Sequence, residues 1–273
     1  MDTIHLINCR IQYTLPSPQG VWGGTGGGIV ANGDNTNDST ILVNIIGCEI
    51  VENKTISTYP AYAVSALSFG GGVTVNLINS TLGNNGSFPG SNSCAIGFSQ
   101  NKSRLNVYNS ILYGNWPPQI VYGRSAYPED TCELHVYNSL IEDGQEGIVI
   151  LNPNNIFYYD LSNLATDPMW DTASMYPYSL SYGSPCIDAG TLDLPPGVTL
   201  PEFDLAGNPR IYGNGIDMGA YEYGPWVGVP EPPNSKFQIP NSKLLCVNPN
   251  PFIFGTYISY ELKSAGRLNI SIF

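Results

Sequence analysis

Charge is scarce in this chain. Of 273 residues, lysine and arginine together supply 10 and histidine 2, and charged residues make up 12%, about half of the roughly 25% usual in globular domains. The acids number 22, so the formal net charge is −12. That field repels nucleic acid and anionic membranes and excludes them as main partners. It also disfavours a polyanionic glycan unless a cation such as Ca²⁺ bridges the two. Long apolar runs are missing as well: none approaches the roughly 18 residues of a membrane span. The opening MDTIHLINC has neither the basic nor the apolar stretch of a secretory leader. The six cysteines (Cys9, Cys48, Cys94, Cys132, Cys186, Cys246) include no C-x-x-C spacing. A zinc site or thioredoxin-type pair is therefore not indicated, and the cysteines are too sparse for a disulfide scaffold. Gly (30), Pro (22) and Tyr (18) are plentiful, and turn formers with β-favouring aromatics argue for an all-β fold.

What is present is a repeat. IHLINCRI (4–11), VNIIGCEI (43–50), VNLINSTL (75–82), LNVYNSIL (105–112) and LHVYNSLI (134–141) align on a turn residue, and the successive turn residues Asn8, Gly47, Asn79, Asn109 and Asn138 are 39, 32, 30 and 29 apart. Each unit alternates apolar and polar residues, the period of a strand. A second strand closes at Asn53, Asn85, Asn115 and Gly144, residue types that tolerate a left-handed turn. A third apolar patch recurs as GGGIVA (26–31), AVSAL (63–67), CAIGF (94–98), QIVY (119–122) and GIVI (147–150). Three short strands per period of about 30 residues predict an all-β solenoid, a right-handed single-stranded parallel β-helix. Leu6, Ile45, Leu77, Val107 and Val136 would form one inner column, and Ile11, Ile50, Leu82, Leu112 and Ile141 another. Asn79, Asn109 and Asn138 would form an amide ladder. Cys9 and Cys48 would share a column in adjacent coils, either disulfide-bonded or as two inert buried thiols.

The period ends by residue 165. Beyond it stand DPMWD (167–171), SPCIDAG (184–190), DLAGNPR (204–210) and GIDMGAYEY (215–223). These strings, in this order, resemble the C-terminal part of the choice-of-anchor Q group of bacterial surface proteins, and the repeats with Gly26-Gly27-Gly28-Ile29 fit the same group. The resemblance covers roughly residues 4–224 and implies a pectate-lyase-like β-helix on an exported, surface-attached or released protein, without a defined activity. Residues 166–224 are expected to cap the open end of the solenoid. Asp188, Asp204, Arg210, Asp217 and Glu222 would lock them by ion pairing, with Ca²⁺ held through Asp oxygens as the alternative. Residues 225–247, rich in Pro, Gly and Ser, form a linker. Residues 248–273, from Asn248-Pro249-Asn250-Pro251-Phe252 through Tyr257 to Leu262, resemble the start of a type IX sorting or FlgD-like immunoglobulin module. Two strands are too few to stand alone, so a truncated immunoglobulin-like tail is expected. That resemblance implies delivery to the extracellular side or outer cell surface. Because Met1 falls almost on a repeat, the natural start is expected upstream.

No catalytic constellation stands out. Glu49, Glu52, Glu142, Asp143 and Glu146 are the main solenoid acids. The Glu49 column otherwise holds Arg10, Thr81, Ile111 and Leu140, so it offers no carboxylate pair for glycoside hydrolysis. Arg104 and Arg124 lack an accompanying Asp cluster for a lyase. G-x-S-x-G is absent, and His5 and His135 stand coils apart. GGTGGG (23–28) lacks the Lys-Ser/Thr of a phosphate loop and reads as a turn before a strand. The strongest signal is an outward column of Ile7, Ile46, Ile78, Tyr108 and Tyr137, flanked by His5, Asn44, Asn76, Asn106 and His135. Rings beside amide groups suit a sugar chain. Alternatively, a loop such as 53–63 or 116–130 covers the stripe. Tyr108, Tyr137, Asn76, Asn106 and His135 are therefore the candidate carbohydrate contacts, with no catalytic or metal residue nominated and no cofactor expected beyond the Ca²⁺ alternative. The expected function is non-catalytic binding of a polysaccharide or cell-surface glycan by a monomer. The alternatives are a polysaccharide lyase or glycoside hydrolase whose catalytic coils lie upstream of Met1, and a structural stalk or adhesin.

Overall fold

The computed structural model describes residues 2–14, 28–33, 41–55, 63–87, 93–100, 102–123 and 129–224, and three further strands, Cys246–Asn248, Tyr257–Ser259 and Asn269–Ile272. Among the described residues there is no α-helix, only a 3₁₀ turn at Gly144–Gly147. No helix there is long and apolar enough to cross a membrane.

The described residues are all-β and the three larger sheets are stacks of parallel strands, an arrangement compatible with a β-helix, while Cys246–Asn248 and Tyr257–Ser259 pair with each other in the antiparallel sense. The first sheet stacks Asp2–Ile7, Ile41–Ile46, Val73–Ile78, Arg104–Tyr108, Glu133–Tyr137 and Ile156–Tyr159. The second stacks Arg10–Gln12, Glu49–Val51, Thr81–Gly83, Ile111–Tyr113 and Leu140–Ile141. The third stacks Ile29–Asn32, Ala63–Gly70, Ser93–Ser99, Ile120–Tyr122 and Ile148–Ile150. Asn269–Ile272 joins the outer edge of Ile29–Asn32 in the antiparallel sense.

The register matches the sequence repeat residue for residue. Leu6, Ile45, Leu77, Val107 and Val136 pair along the first sheet, and Ile11, Ile50, Leu82, Leu112 and Ile141 along the second. All ten are buried in one core. Phe69, Phe98 and Tyr122 stack inside the third sheet with centroids 4.7 and 5.0 Å apart. A further strand, Ile156–Tyr159, adds Phe157 and Tyr159 against the same core.

Turns between strands obey a single rule. Asn8, Gly47, Asn79, Asn109 and Asn138 all have left-handed backbone, as their shared position predicted. At the second turn the left-handed residues are Tyr13, Glu52, Asn84, Gly114 and Asp143, one position earlier than the sequence suggested. Only in the last coil does the expected residue, Gly144, share that conformation. The shift frees Asn53, Asn85 and Asn115 for a different task. Their side chains point inward and form a buried amide ladder. Asn53 Nδ2 donates to Asn85 Oδ1 at 2.9 Å, Asn85 Nδ2 to Asn115 Oδ1 at 2.8 Å, and Asn115 Nδ2 to Gln119 Oε1 at 2.8 Å. The ladder expected at Asn79, Asn109 and Asn138 is only partly formed. Asn109 Nδ2 donates to Asn79 Oδ1 at 3.1 Å, but the Asn79 and Asn138 amides donate elsewhere. Beside it runs a hydroxyl column: the N–H groups of Cys48, Ser80 and Ser110 each donate to the serine Oγ of the next coil at 3.1 Å. Cys9 and Cys48, at the head of this column, are buried free thiols.

Asn85 is 1% exposed and uses its amide on three neighbours: Ile50 O accepts from it at 2.8 Å besides Asn115, and Asn53 N–H donates to it at 3.0 Å. Asn85→Ala would strand these buried groups. A loss of about 2–4 kcal/mol in unfolding free energy is expected, measured by urea titration; a loss below ~1 kcal/mol would show that the ladder contributes little.

Candidate functional site

Outward residues of the first sheet stand where the alternation places them. His5, Asn44, Asn76, Asn106 and His135 share one column, continued by Tyr158; Ile7, Ile46, Ile78, Tyr108 and Tyr137 share the next. The amides of the first column are occupied with one another. Asn106 Nδ2 donates to Asn76 Oδ1 and Asn76 Nδ2 to Asn44 Oδ1, both at 2.8 Å, and Asn44 Nδ2 lies 3.4 Å from His5 Nδ1. Asn76, one of the candidate sugar contacts, is 4% exposed, and its amide forms an internal rung between Asn44 and Asn106. Ile46 and Ile78 are also buried, whereas Tyr108, Tyr137, Asn106 and His135 are half-buried. The stripe is thus covered at its second and third coils and open from the fourth onward. The cover is not 116–130 as a whole, because Ile120–Tyr122 belongs to the third sheet; residues 56–62 and 124–128 lie outside the described residues.

At the open end the rings are ordered. Tyr108 and Tyr137 stack at 4.8 Å and 20°, and Tyr158 lies on Tyr137 at 5.1 Å and 34°. Burial pushes the Tyr108 hydroxyl up to about 12, helped by Tyr137 and Asp193. Beside them Arg104 Nη2 pairs with Glu133 Oε2 at 2.6 Å, and His135 Nε2 lies 3.6 Å from that oxygen. Burial, then the Arg104 charge, lower the His135 pKa, with Glu133 opposing. This leaves a neutral imidazole at physiological pH. Tyr158 and Asp160 were not anticipated as site residues. The strand IFYY (156–159) carries the right alternation, but it lacks the Asn-Ser turn on which the repeat was aligned.

Residues 166–224 gather the motifs of the second half, and their described contacts run along the flank of the stack. Asn138 Nδ2 donates to Ala189 O at 3.2 Å, Asn109 Nδ2 to Thr191 O at 2.8 Å, Asn79 Nδ2 to Asp217 O at 2.9 Å, and Asn8 Nδ2 to Phe203 O at 3.0 Å. Gly47, the exception in this turn column, sits under Arg210: a Cβ there would come within 3.1 Å of Nη2 and 2.2 Å of Asn8 Oδ1. Further along, Arg10 Nε pairs with Glu49 Oε1 at 2.7 Å. Tyr221 Oη donates to Glu49 Oε2 and accepts from Arg10 Nη2, each at 2.6 Å. Tyr178 Oη donates to Glu52 Oε1 at 2.6 Å. Glu49 therefore faces outward but is sealed beneath Tyr221 with its charge matched by Arg10, which is the geometry of a staple.

Asp188, Asp204, Arg210, Asp217 and Glu222 of this segment are engaged within it. Asp188 accepts from the N–H of Asn214 and Gly215, Asp204 from Ala206, Asn208 and Glu222, and Asp217 from Asp188 and Tyr223. Arg210 Nη1 lies 3.6 Å from Glu222 Oε1, and the guanidinium donates to Gly219 O and Ala220 O. Among the described residues no three His, Cys, Asp or Glu side chains form a group able to hold a metal ion. Burial raises Asp217 to about 6; burial and the Asp217 charge raise Glu222 to about 9, with Arg210 opposing.

No family model matches the chain, and neither a curated protein nor a solved structure matches it.

The raised carboxyls give a pH dependence of defined sign. A group whose folded pKa exceeds its unfolded value contributes fully below the unfolded value and loses that contribution as pH rises through the folded one. For Glu222 the window runs from 4.5 to about 9, and for Asp217 from 3.8 to about 6. Glu222→Gln keeps an acceptor near Arg210 but cannot ionise. Its Tm relative to the parent should climb between pH 5 and 9 by on the order of 5 °C. A difference that stays flat across thermal melts at those pH values would contradict the buried, protonated Glu222.

Proposed function

We propose that this chain is a right-handed parallel β-helix module of the choice-of-anchor Q kind, carried on the outside of the cell, whose first sheet binds a glycan without cleaving it. The reading rests on one observation: the half-open rings of Tyr108 and Tyr137, stacked at 4.8 Å, beside Asn106 and His135. Such rings offer a partly apolar, conformationally stiff surface at low entropic cost, with polar groups alongside. The motifs of residues 184–223 and the start of a sorting module from Asn248 support the family and the surface location. Binding of this kind requires no cofactor. Non-catalytic action is supported by the acids nearest the candidate columns: Glu133 is ion-paired with Arg104, and Glu49 is buried beneath Tyr221 and paired with Arg10. A structural stalk is the second reading, favoured by residues 166–224, which tie several coils together along one flank.

The test is size-exclusion chromatography of neutral and acidic polysaccharides with the protein, with and without Ca²⁺. Co-elution of protein with chains of unchanged length is expected. Shortened chains would make the protein an enzyme and sink the binding reading, while elution of every polysaccharide apart from the protein would favour the stalk.

A further inference from the structure

The outward rings of the first sheet do not offer equal surfaces. Tyr137 is held between Tyr108, at 4.8 Å and 20°, and Tyr158, at 5.1 Å and 34°. With both faces of its ring occupied, Tyr137 offers a ligand only its edge and hydroxyl. Tyr108 gives one face to Tyr137 and stands in register with the buried Ile78 of the preceding coil on its other side. Tyr158 differs. It stands on Ile156–Tyr159, the last strand of the first sheet, and it is 46% exposed. Its hydroxyl donates to Asp160 Oδ2 at 3.0 Å, and Asp160 Oδ1 in turn accepts from the Ser162 N–H at 2.9 Å and Oγ at 2.6 Å. The His135 ring meets it edge-on, with centroids 6.3 Å apart. The ring is therefore fixed in orientation before any ligand arrives.

We infer that the outer face of Tyr158 is the docking point for the glycan, and that it takes a single uncharged pyranose ring, with the Asp160 carboxylate accepting a hydroxyl beside it. This rests on the glycan-binding reading above. The face of a phenol ring carries the negative lobe of its quadrupole, and the C–H groups on one side of a pyranose present the complementary surface. One open face accommodates one sugar, so affinity is set by a terminal or branching unit rather than by the length of the chain. Ser162, then Tyr158, hold the Asp160 carboxyl below its ordinary pKa, so it is ionised at neutral pH. An ionised carboxylate in a chain of net charge −12 repels a uronic acid at the same place.

Isothermal titration calorimetry of the full chain with gluco-, manno-, galacto- and xylo-oligosaccharides of one to six units, and with a hexamer of galacturonic acid, tests this. For the sugars that bind, Kd is expected to stay within about threefold from the dimer to the hexamer. The uronic acid hexamer should bind at least ~10-fold more weakly at low salt. Tyr158→Ala should weaken binding at least ~10-fold and Tyr158→Phe less than ~3-fold, with circular dichroism verifying that each is folded. If the alanine variant unfolds, Tyr158→Leu, which keeps cover on Tyr137 but has no π face, carries the same expectation. An affinity that climbs tenfold or more with chain length, or a folded Tyr158→Ala that binds like the parent, overturns the single-ring site while leaving glycan binding in place. If none of the sugars binds, the glycan-binding reading fails and this inference fails with it.

Discussion

Parallel strands in register leave little freedom in what can lie above what. Neighbouring strands are about 4.8 Å apart, and here equivalent residues of successive repeats are direct register partners. Every column must therefore tolerate its own repetition. Aliphatic side chains do so by packing, rings by stacking, amides and hydroxyls by donating to the next copy of themselves; charges of one sign cannot. The shortage of lysine and arginine, the wealth of asparagine and the ring stacks at Phe69–Phe98–Tyr122 and Tyr108–Tyr137 all follow from this one requirement. So does the character of the candidate site, because whatever lies on an outer column is presented as a row.

Charges are admitted where a column can be broken by a partner from outside it. Arg10 and Glu49 occupy adjacent rungs of the second sheet as opposite signs, and Tyr221 satisfies what they leave over. Arg210 needs Gly47 at a turn position otherwise held by asparagine in every aligned coil. Breaking such buried pairs is costly because the remaining charge has nowhere to be solvated. Residues 166–224 thus depend on irregularities in the repeat, and those irregularities make sense only with the segment in place.

That dependence explains what could be read from the chain alone. The strand registers and both inner columns were legible, since period and alternation specify them and a one-residue slip would turn every side chain to the wrong face. The second turn was misplaced by one residue because Asn is equally suited to a left-handed backbone and to an amide ladder. Choosing between Asn84 and Asn85 needs the partner coil. The outer stripe was found, but the internal use of the Asn76 amide was not, because a hydrogen bond to Asn44 and Asn106 looks the same in sequence as an amide free for a ligand. Tyr158 is hidden in the sequence for a simpler reason: the strand that carries it lacks the turn signature of the other repeats. Nothing local in the sequence announced that Asn8, Asn79, Asn109 and Asn138 would grip carbonyls dozens to nearly two hundred residues away.

Those separations set an order of events. Neighbouring coils join residues about 30 apart, whereas Asn8 meets Phe203 across 195 residues. Short closures are less costly in entropy and form sooner than long ones. A chain emerging from the ribosome can zip its coils one after another while residues 166–224 are still being made. During that interval the turn amides face water rather than Ala189, Thr191, Phe203 and Asp217. Side-chain amides tolerate water and protein carbonyls equally well, whereas Val51, Ile111 and Leu140, which the same segment also covers, leave an adhesive surface until it arrives. The asparagines that clasp the finished protein thus cost the unfinished one nothing, and the interval of exposure is set by the apolar residues beside them.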